Sequence, residues 1–374
     1  MTRLAYGFGW AFIGFVTLTL VPPTNAEPLP RKYRKSVRKA LEYLAKAQKD
    51  DGQGGGYWEG NGGKYSVAMT GLTGMALLME GSTMRSGRYS KHIRKAVRWL
   101  ISRARPNKGG SRDGLIGGTQ PRERIRYMYG HGFAMLFLSS VYGNEAKAYR
   151  REELKDILTR AVQYTVNAQS TNGGWYYKSA KESNDADEGS VTITQVQALR
   201  AARNAGIPVP IQSIKLARRY LQRSTTTRGG VIYKLRRGGG GVPTSGGRPA
   251  LTAAAIACAF SAGQYKGDYI KKWFKYCHTL GKIYSNRGHD EYTKYYYAQA
   301  VYVLGDDGWA KLFGKDASNP LKWTAYRKKL FDSLVAIQSS NGSWNRSGIG
   351  PVYSTSLYAT IMQLDRATIP IYQR

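Results

Sequence analysis

A short phrase recurs along the chain, and its spacing limits the folds that the chain can adopt. It consists of a glutamine, a polar turn, one or more glycines and an aromatic residue, and each copy follows a helix-like stretch. The clear copies run from Gln48 to Trp58, from Gln169 to Trp175 and from Gln338 to Trp344; weaker copies lie at Gly109-Gly110, Gly229–Tyr233 and Gly281–Gly288. A period of roughly 50 to 65 residues is too long for tetratricopeptide or ankyrin units.

The helices predicted on the two sides of each phrase differ in how their apolar residues are distributed. Those before the phrase are one-sided, as where Val37, Leu41 and Leu44 repeat at helical spacing among Arg and Lys. Those after it are small and apolar on most sides, as in Leu251–Cys258, which indicates burial all round. The six buried helices are predicted to start near Ser66, Gly130, Ser190, Pro249, Thr293 and Ser354.

Six one-sided helices that alternate with six buried ones predict two concentric layers. The expected architecture is therefore an all-α (α/α)6 toroid, a double ring of six helix pairs. Because the pairs account for residues 34–366, we expect a single domain over residues 27–374. An open solenoid is the alternative, but it would need polar capping repeats. The glycines would allow sharp turns between the layers, and the aromatic would lie over the glutamine amide and fasten neighbouring units.

The first residues have the pattern of a signal peptide. Arg3 precedes an apolar run from Leu4 to Leu20, and small residues at Thr24-Asn25-Ala26 offer a cleavage site. We therefore predict that residues 1–26 are removed and that the protein is periplasmic or secreted. A retained membrane anchor is the alternative.

The chain is strongly basic, with a formal net charge of +33, and a field of this size attracts polyanions. Since export is predicted, we expect no nucleic-acid partner, and instead an anionic polymer or a lipid-like ligand, with peripheral membrane contact. The alternative is that basicity only sets solubility. Cys258 and Cys277 fall on consecutive helices at unequal distances from the turn, so no disulfide is predicted. We expect a monomer.

The phrase Gln-x-x-x-Gly-Gly-Trp resembles a shortened repeat of the squalene–hopene cyclase and protein prenyltransferase superfamily. The chain is similar over its whole predicted mature length to exported bacterial proteins with prenyltransferase and squalene oxidase repeats. The matching stretches are Met128–Ala134, Asp187–Thr192, Tyr295–Gln299, Tyr353–Ser356 and Ile369–Tyr372. The resemblance implies the toroid of helix pairs, whereas a fold of this kind does not fix an activity.

In such a toroid the inner helices run parallel, so their N-termini gather at one end, called the mouth below. Helix dipoles and unpaired N–H groups make this end suited to an anionic group. The first functional hypothesis is therefore a toroid that binds an anionic or lipid-like ligand at the mouth. The predicted ligand-binding residues are Tyr65, Tyr129, Ser190, Arg248, Tyr292, Tyr295 and Tyr353.

The second hypothesis is a terpenoid-cyclase-like enzyme. Asp185-Ala186-Asp187-Glu188 resembles the acid motif of class II terpene cyclases, in which a carboxylic acid protonates an alkene or epoxide. Crowded carboxylates raise one another's pKa and so retain a proton. Glu188 departs from the motif, which ends in Asp. The alternative is that Asp187 and Glu188 cap an inner helix.

The third hypothesis is a lyase-like enzyme that acts on an acidic polysaccharide through His131 and tyrosine hydroxyls. The alternative is that His131 has a structural role only.

Prenyltransferases of the superfamily hold zinc with Asp, Cys and His. However, Cys258 lies inside a predicted helix, and Cys277-His278 has no third ligand at suitable spacing. The sequence therefore predicts no metal site, no protein prenylation and no cofactor.

Overall fold

Two layers of helices make up the part of the chain that the structure, a computed structural model, describes. It describes residues 29–145, 147–235, 241–281, 283, 289–315 and 317–373, so the predicted signal peptide, residues 1–26, lies outside it. The inner helices are α2 (Ser66–Met79), α5 (Tyr127–Val141), α7 (Gly189–Asn204), α9 (Pro249–Ser261), α11 (Asp290–Leu304) and α14 (Pro351–Ile361). The outer helices are α1 (Arg31–Lys46), α3 (Ser90–Ala104), α6 (Ala148–Asn167), α8 (Ile211–Arg223), α10 (Asp268–Phe274) and α13 (Trp323–Ala336).

Short elements complete the fold. Two short helices, α4 (Pro121–Ile125) and α12 (Gly308–Phe313), and one antiparallel strand pair, β1 (Lys49–Asp50) with β2 (Gly56–Tyr57), lie in the connections. Helix α10 continues as a π-helical turn over Lys275–Thr279. Within the described residues, none of the helices combines the length and the hydropathy that a membrane span requires.

The inner layer closes into a ring. Around the ring α2 contacts α5, α5 contacts α7, α7 contacts α9, α9 contacts α11, α11 contacts α14, and α14 returns to α2. In the outer layer the first helix, α1, contacts the last, α13. Every residue of α2 is buried, whereas α1 buries only one face. The predicted toroid is confirmed, and the open solenoid is wrong.

The inner helices run parallel. At one end, the Ser354 hydroxyl near the start of α14 donates to the Glu291 carboxylate at the start of α11, 3.0 Å away. At the opposite end, called the far end below, the Gln363 amide after α14 donates to the Ala76 carbonyl near the end of α2, at 3.1 Å. The predicted mouth therefore exists, although three inner helices begin three residues before their predicted starts: α5, α11 and α14.

The aromatic residue of each clear phrase is buried within its own unit. Trp58, Trp175 and Trp344 are fully buried. Their indole N–H groups donate to carbonyls of the preceding outer helix, those of Leu44, Thr165 and Leu334, at 2.6 to 2.8 Å. Their backbone N–H groups donate to threonine hydroxyls of the following inner helix, those of Thr70, Thr192 and Thr355, at 2.9 to 3.0 Å. The aromatic thus joins the two helices of one pair.

The glutamine of each clear phrase reaches the next outer helix. The amide nitrogens of Gln48, Gln169 and Gln338 donate to the carbonyls of His92, Ser213 and Ser36, each at 3.0 Å. The bond from Gln338 to Ser36 joins the last unit to the first. The expectation that the aromatic fastens neighbouring units is therefore corrected, because the glutamine makes this connection.

The C-terminal segment covers part of the far end. The Thr368 hydroxyl donates to the Met79 carbonyl at 3.2 Å. The buried Tyr372 shares a hydrogen bond of 2.7 Å with the hydroxyl of Tyr295 inside the ring. Cys258 and Cys277 are buried and free, and burial raises the pKa of both thiols.

Candidate binding mouth

A chain of three hydrogen-bonded side chains lies at the mouth, between the starts of α5 and α7. The hydroxyl of Ser190 donates to the carboxylate of Glu188 at 2.6 Å. The same hydroxyl is hydrogen-bonded to the hydroxyl of Tyr129. Because Ser190 has one proton to give, Tyr129 is the donor to Ser190 when Glu188 is ionised. The half-buried Tyr129 is the outer member of this chain, and the fully buried Glu188 is its inner member.

Glu188 caps α7. Its carboxylate accepts from the backbone N–H groups of Ser190 and Val191, at 2.9 and 2.6 Å, as an N-cap residue does. Burial raises the pKa of this carboxyl to about 7, and the nearby charge of Asp187 adds to the rise, while the hydrogen bonds oppose it. Glu188 is thus a buried acid that can change its protonation near neutral pH.

A pair of tyrosines covered by two arginines lies beside this chain. The hydroxyls of Tyr177 and Tyr233 are hydrogen-bonded to each other. The Arg126 guanidinium lies 4.6 Å from the ring centre of Tyr177, and that of Arg248 lies 4.6 Å from that of Tyr233. Both arginines are exposed. The Tyr129 ring is 5.9 Å from the Tyr177 ring, so the pair and the hydrogen-bonded chain form one surface.

Further tyrosines extend this surface around the ring. Tyr292 is half-buried, and its ring lies 4.7 Å from that of Tyr296. Burial raises the pKa of Tyr292 well above its usual value, and the neighbouring Tyr296, Tyr129, Glu188 and Tyr353 raise it further. The half-buried tyrosines at the inner-helix starts and the turns beside them include Tyr65, Tyr129, Tyr177, Tyr233, Tyr292 and Tyr353.

Two of the predicted tyrosines have particular positions. Tyr65 precedes α2 with a left-handed backbone, φ 59°, which a bulky residue adopts only when its surroundings enforce it. Tyr295 is buried inside the ring against Tyr372. Tyr295 therefore does not line the mouth, and this part of the prediction is corrected.

Carboxylates of the protein itself occupy the donors at several inner-helix starts. Glu123 accepts from the Ser66 hydroxyl at 2.8 Å and from the Val67 N–H at 2.9 Å, at the start of α2. Glu188 does the same at α7. The N–H groups of Val67 in α2 and of Ser190 and Val191 in α7 are therefore already paired and do not receive an anionic ligand. Arg126 and Arg248, which lie over the tyrosine pair, can still bind a negatively charged ligand.

Asp185 and Asp187 hold the neighbouring turn. The carboxylate of Asp185 accepts from the backbone N–H of Thr171 at 2.8 Å, and that of Asp187 accepts from the Asn172 amide at 2.9 Å. Both aspartates line a cleft of about 490 Å³ together with the exposed Lys234. Of the predicted acid motif, the structure therefore joins only Glu188 to the mouth, where it is buried beneath the surface and bonded to Ser190.

His131 lies between the two layers of helices. Its Nδ1 accepts from the backbone N–H of Ile116 at 3.2 Å, so its Nε2 carries the proton and donates to the Thr165 hydroxyl of α6 at 2.9 Å. Burial lowers the pKa of the imidazole to about 4, which keeps it neutral. The structure thus does not bring His131 to the mouth tyrosines, and its contacts are those of a structural histidine.

Sequence reasoning missed Arg126, Tyr177 and Tyr233, and also the capping Glu123 and Glu291, which accepts from the Ser354 hydroxyl. For the tyrosines the sequence contains a signal, since Tyr177 and Tyr233 each follow a glycine pair by three residues. The backbone N–H of Val231 donates to the Thr252 hydroxyl at 2.9 Å, as that of Trp175 donates to Thr192. Trp175 and Val231 therefore occupy equivalent positions in their units. Tyr177 and Tyr233, each two residues later, are equivalent as well.

Comparisons with known proteins extend this description of the fold. No protein-family model matches the sequence, and no curated protein matches it. Solved structures do match. An inactive α-1,6-mannanase variant from Salegentibacter sp. HEL1_6 in complex with α-1,6-mannotriose is 10% identical, with 90% of this chain and 99% of that chain covered and a TM-score of 0.61.

Two further structures have the same kind of likeness. A GH76 α-mannanase from Bacteroides thetaiotaomicron is 13% identical over 90% of this chain and 95% of that chain, with a TM-score of 0.55. A type II terpene cyclase from Scytonema in complex with its product, merosterolic acid A, is 12% identical over 90% of this chain and 97% of that chain, with a TM-score of 0.54. At these identities the likeness shows the toroid fold alone.

Proposed function

We propose that the mouth binds the acidic sugar units of a polysaccharide. The observation that carries the proposal is the pair of tyrosine rings, Tyr177 and Tyr233, with Arg126 and Arg248 each 4.6 Å from a ring centre. Aromatic faces pack against the apolar faces of sugar rings, while guanidinium groups pair with carboxylates in a fork geometry. Each guanidinium lies over the ring of its tyrosine, so the mouth presents cations and aromatic rings together, as binding of a uronate unit requires.

Charge and location support the same ligand class. The net charge of +33 favours the approach of a polyanion. Export, if residues 1–26 are a signal peptide, would place the protein among acidic surface polymers. The mannanase from Salegentibacter sp. HEL1_6 holds an oligosaccharide on the same kind of toroid, which makes a carbohydrate ligand a reasonable expectation for this one.

The terpenoid-cyclase alternative has less support. Such an enzyme needs a dry cavity of several hundred Å³ lined by aromatic residues. The cleft of about 490 Å³ that contains Asp185 and Asp187 also contains the exposed Lys234, and both carboxylates are engaged by the turn. The lyase alternative loses His131 as its base but keeps the acidic-polysaccharide ligand. We also propose, on the phrase and the fold together, that the chain is a distant member of the cyclase and prenyltransferase superfamily.

We expect Arg126→Ala and Arg248→Ala each to weaken binding of an oligouronate by about tenfold, since each removes a charge-assisted contact at an aromatic anchor. Titration calorimetry with a purified oligouronate measures this, and binding should weaken as salt is raised. The matched control is Arg122→Ala, which removes one exposed arginine from α4 and should leave the affinity within about twofold.

Comparing an acidic with a neutral oligosaccharide tests the class of ligand as well as the site. A neutral mannooligosaccharide of the same length should bind more weakly than the oligouronate by about tenfold or more. Equal affinity for the two sugars, or equal losses in Arg122→Ala and Arg248→Ala, would overturn the proposal. Conversion of squalene to a new product by the unmodified protein, with no affinity for uronates, would establish the cyclase alternative in its place.

A further inference from the structure

A basic cleft lies at the far end of the ring, away from the mouth. Its volume is about 740 Å³, and it lies between the first residues of α1 and the loop that connects α2 to α3. Glu80 is its acidic lining residue. The basic lining residues are Arg31, Lys32, Arg34, Lys35, Arg38, Arg88 and Arg366.

Several of these charges are available to a partner. Lys32 pairs with Asp332, and Arg88 pairs with Glu42. Arg31, Arg34 and Lys35 are exposed, and no ion pair involves them within the described residues. One turn of α1 therefore presents three cations to solvent at this end.

The same end exposes large apolar side chains. Tyr149 in the first turn of α6 is 60% exposed, Ile211 at the start of α8 is 54% exposed, and Tyr265 just before α10 is 49% exposed. Outer helices run from the far end towards the mouth, so all three side chains lie at the far end. Basic residues accompany Tyr149, since Lys147 and Arg150 both lie within 6 Å of its ring centre at 5.9 and 5.8 Å.

The chain also enters the ring at the far end. Helix α1 begins there, at Arg31, and the sequence before it contains the apolar run from Leu4 to Leu20. If residues 1–26 are retained as a membrane anchor instead of being cleaved, this apolar run is joined in sequence to the end that carries the basic cleft.

We propose that the far end of the ring docks on an anionic lipid surface and leaves the mouth facing away from the membrane. Cations near the surface attract anionic head groups over a Debye length. Exposed aromatic and aliphatic side chains then enter the boundary between head groups and acyl chains. A soluble polyanion would use the cations but would leave Tyr149, Ile211 and Tyr265 without a partner. The proposal does not depend on the ligand of the mouth.

Vesicle binding tests the proposal on a chain that begins at Glu27. The contacts that close the ring all lie within residues 29–373, so this chain retains them. We expect it to sediment with vesicles of phosphatidylcholine and phosphatidylglycerol and not with phosphatidylcholine alone. The triple variant R31E/R34E/K35E should weaken the partition coefficient by at least about tenfold.

A control with the same change in net charge separates a docking face from overall charge. The triple variant K64E/R122E/R228E reverses three exposed charges that lie in the connections leading to inner helices, at the mouth end. It should bind the vesicles within about twofold of the unaltered chain, and circular dichroism should show that both variants keep their helical content.

A fluorescence readout locates the contact. The emission of Tyr149→Trp, after subtraction of that of the unaltered chain with its own tryptophans, should shift to shorter wavelength on binding to the anionic vesicles, since the side chain leaves water. Equal weakening in the two triple variants, equal binding to neutral vesicles, or no emission shift on binding would overturn the proposal. Binding of dextran sulfate without binding of vesicles would also overturn it, in favour of a soluble polyanion.

Discussion

Gly342→Ala is expected to lower the free energy of unfolding by about 2 to 4 kcal/mol, because it acts where the last turn meets the first helix. Gly342 has a φ of +89°, and a Cβ atom there would lie 2.4 Å from the backbone carbonyl oxygen of Lys39 in α1. A left-handed backbone costs alanine about 1 kcal/mol or more. The clash with a main-chain atom adds about 1 to 3 kcal/mol, since a helix backbone cannot move aside as a side chain can.

Gly143→Ala is the matched control for this substitution. Gly143 has a φ of +91°, but a Cβ atom there would meet nothing within 4 Å, so only the backbone cost of about 1 kcal/mol should appear. Urea unfolding followed by circular dichroism measures both. Equal losses in the two variants would show that the close approach of the turn to α1 contributes nothing to stability.

A third glycine tests whether the ring is closed in solution. A Cβ at Gly173, with a φ of +94°, would lie 2.4 Å from the carbonyl oxygen of Leu216 in α8, in the middle of the chain. In a closed ring Gly173→Ala and Gly342→Ala remove equivalent contacts and should cost similar amounts. In an open arrangement the contact of Gly342 with α1 would be missing, and Gly342→Ala would cost no more than Gly143→Ala.

The fold could be predicted because it depends on patterns that extend over many residues. The repeated phrase gives the number of units, and the contrast between helices such as α1 and α2 gives the layers. The role of the individual phrase residues was harder to predict. Val231, and not Tyr233, takes the place of the tryptophan, because an apolar side chain of either kind can fill that position.

The site could be predicted only in part because it depends on where single side chains point. His131 was expected at the start of its helix, but α5 begins at Tyr127, and an imidazole one turn into the helix faces α6. Asp187 and Glu188 were treated as one motif. The backbone at Glu188 is extended, with φ −160° and ψ 156°, so adjacent side chains point to opposite sides. Only one of the two carboxylates, that of Asp187 or that of Glu188, could therefore face the mouth.

Glu188→Gln is expected to remove a pH dependence of stability that the unmodified protein shows between about pH 4.5 and pH 7. Burial raises the pKa of Glu188 from 4.5 to about 7 in the folded protein. Over this range the folded state therefore holds a proton that the unfolded state releases. The contribution of Glu188 is fully present below pH 4.5 and is lost as the pH rises through 7, to a total of about 3 kcal/mol.

The measurement is the difference in the free energy of unfolding between the unmodified protein and Glu188→Gln, taken from urea titrations across this range. Because glutamine cannot ionise, the difference should shift by about 3 kcal/mol in favour of the variant as the pH is raised. Glu152→Gln alters an exposed carboxylate on α6 and is the control. The difference in the free energy of unfolding between it and the unmodified protein should stay nearly constant over this range. A constant difference for Glu188→Gln would mean that the hydrogen bonds from Ser190 and Val191 outweigh burial and keep Glu188 ionised. The Tyr129 hydroxyl would then be the hydrogen-bond donor to Ser190 over the whole pH range, and a fixed negative charge would lie beneath the tyrosines of the mouth.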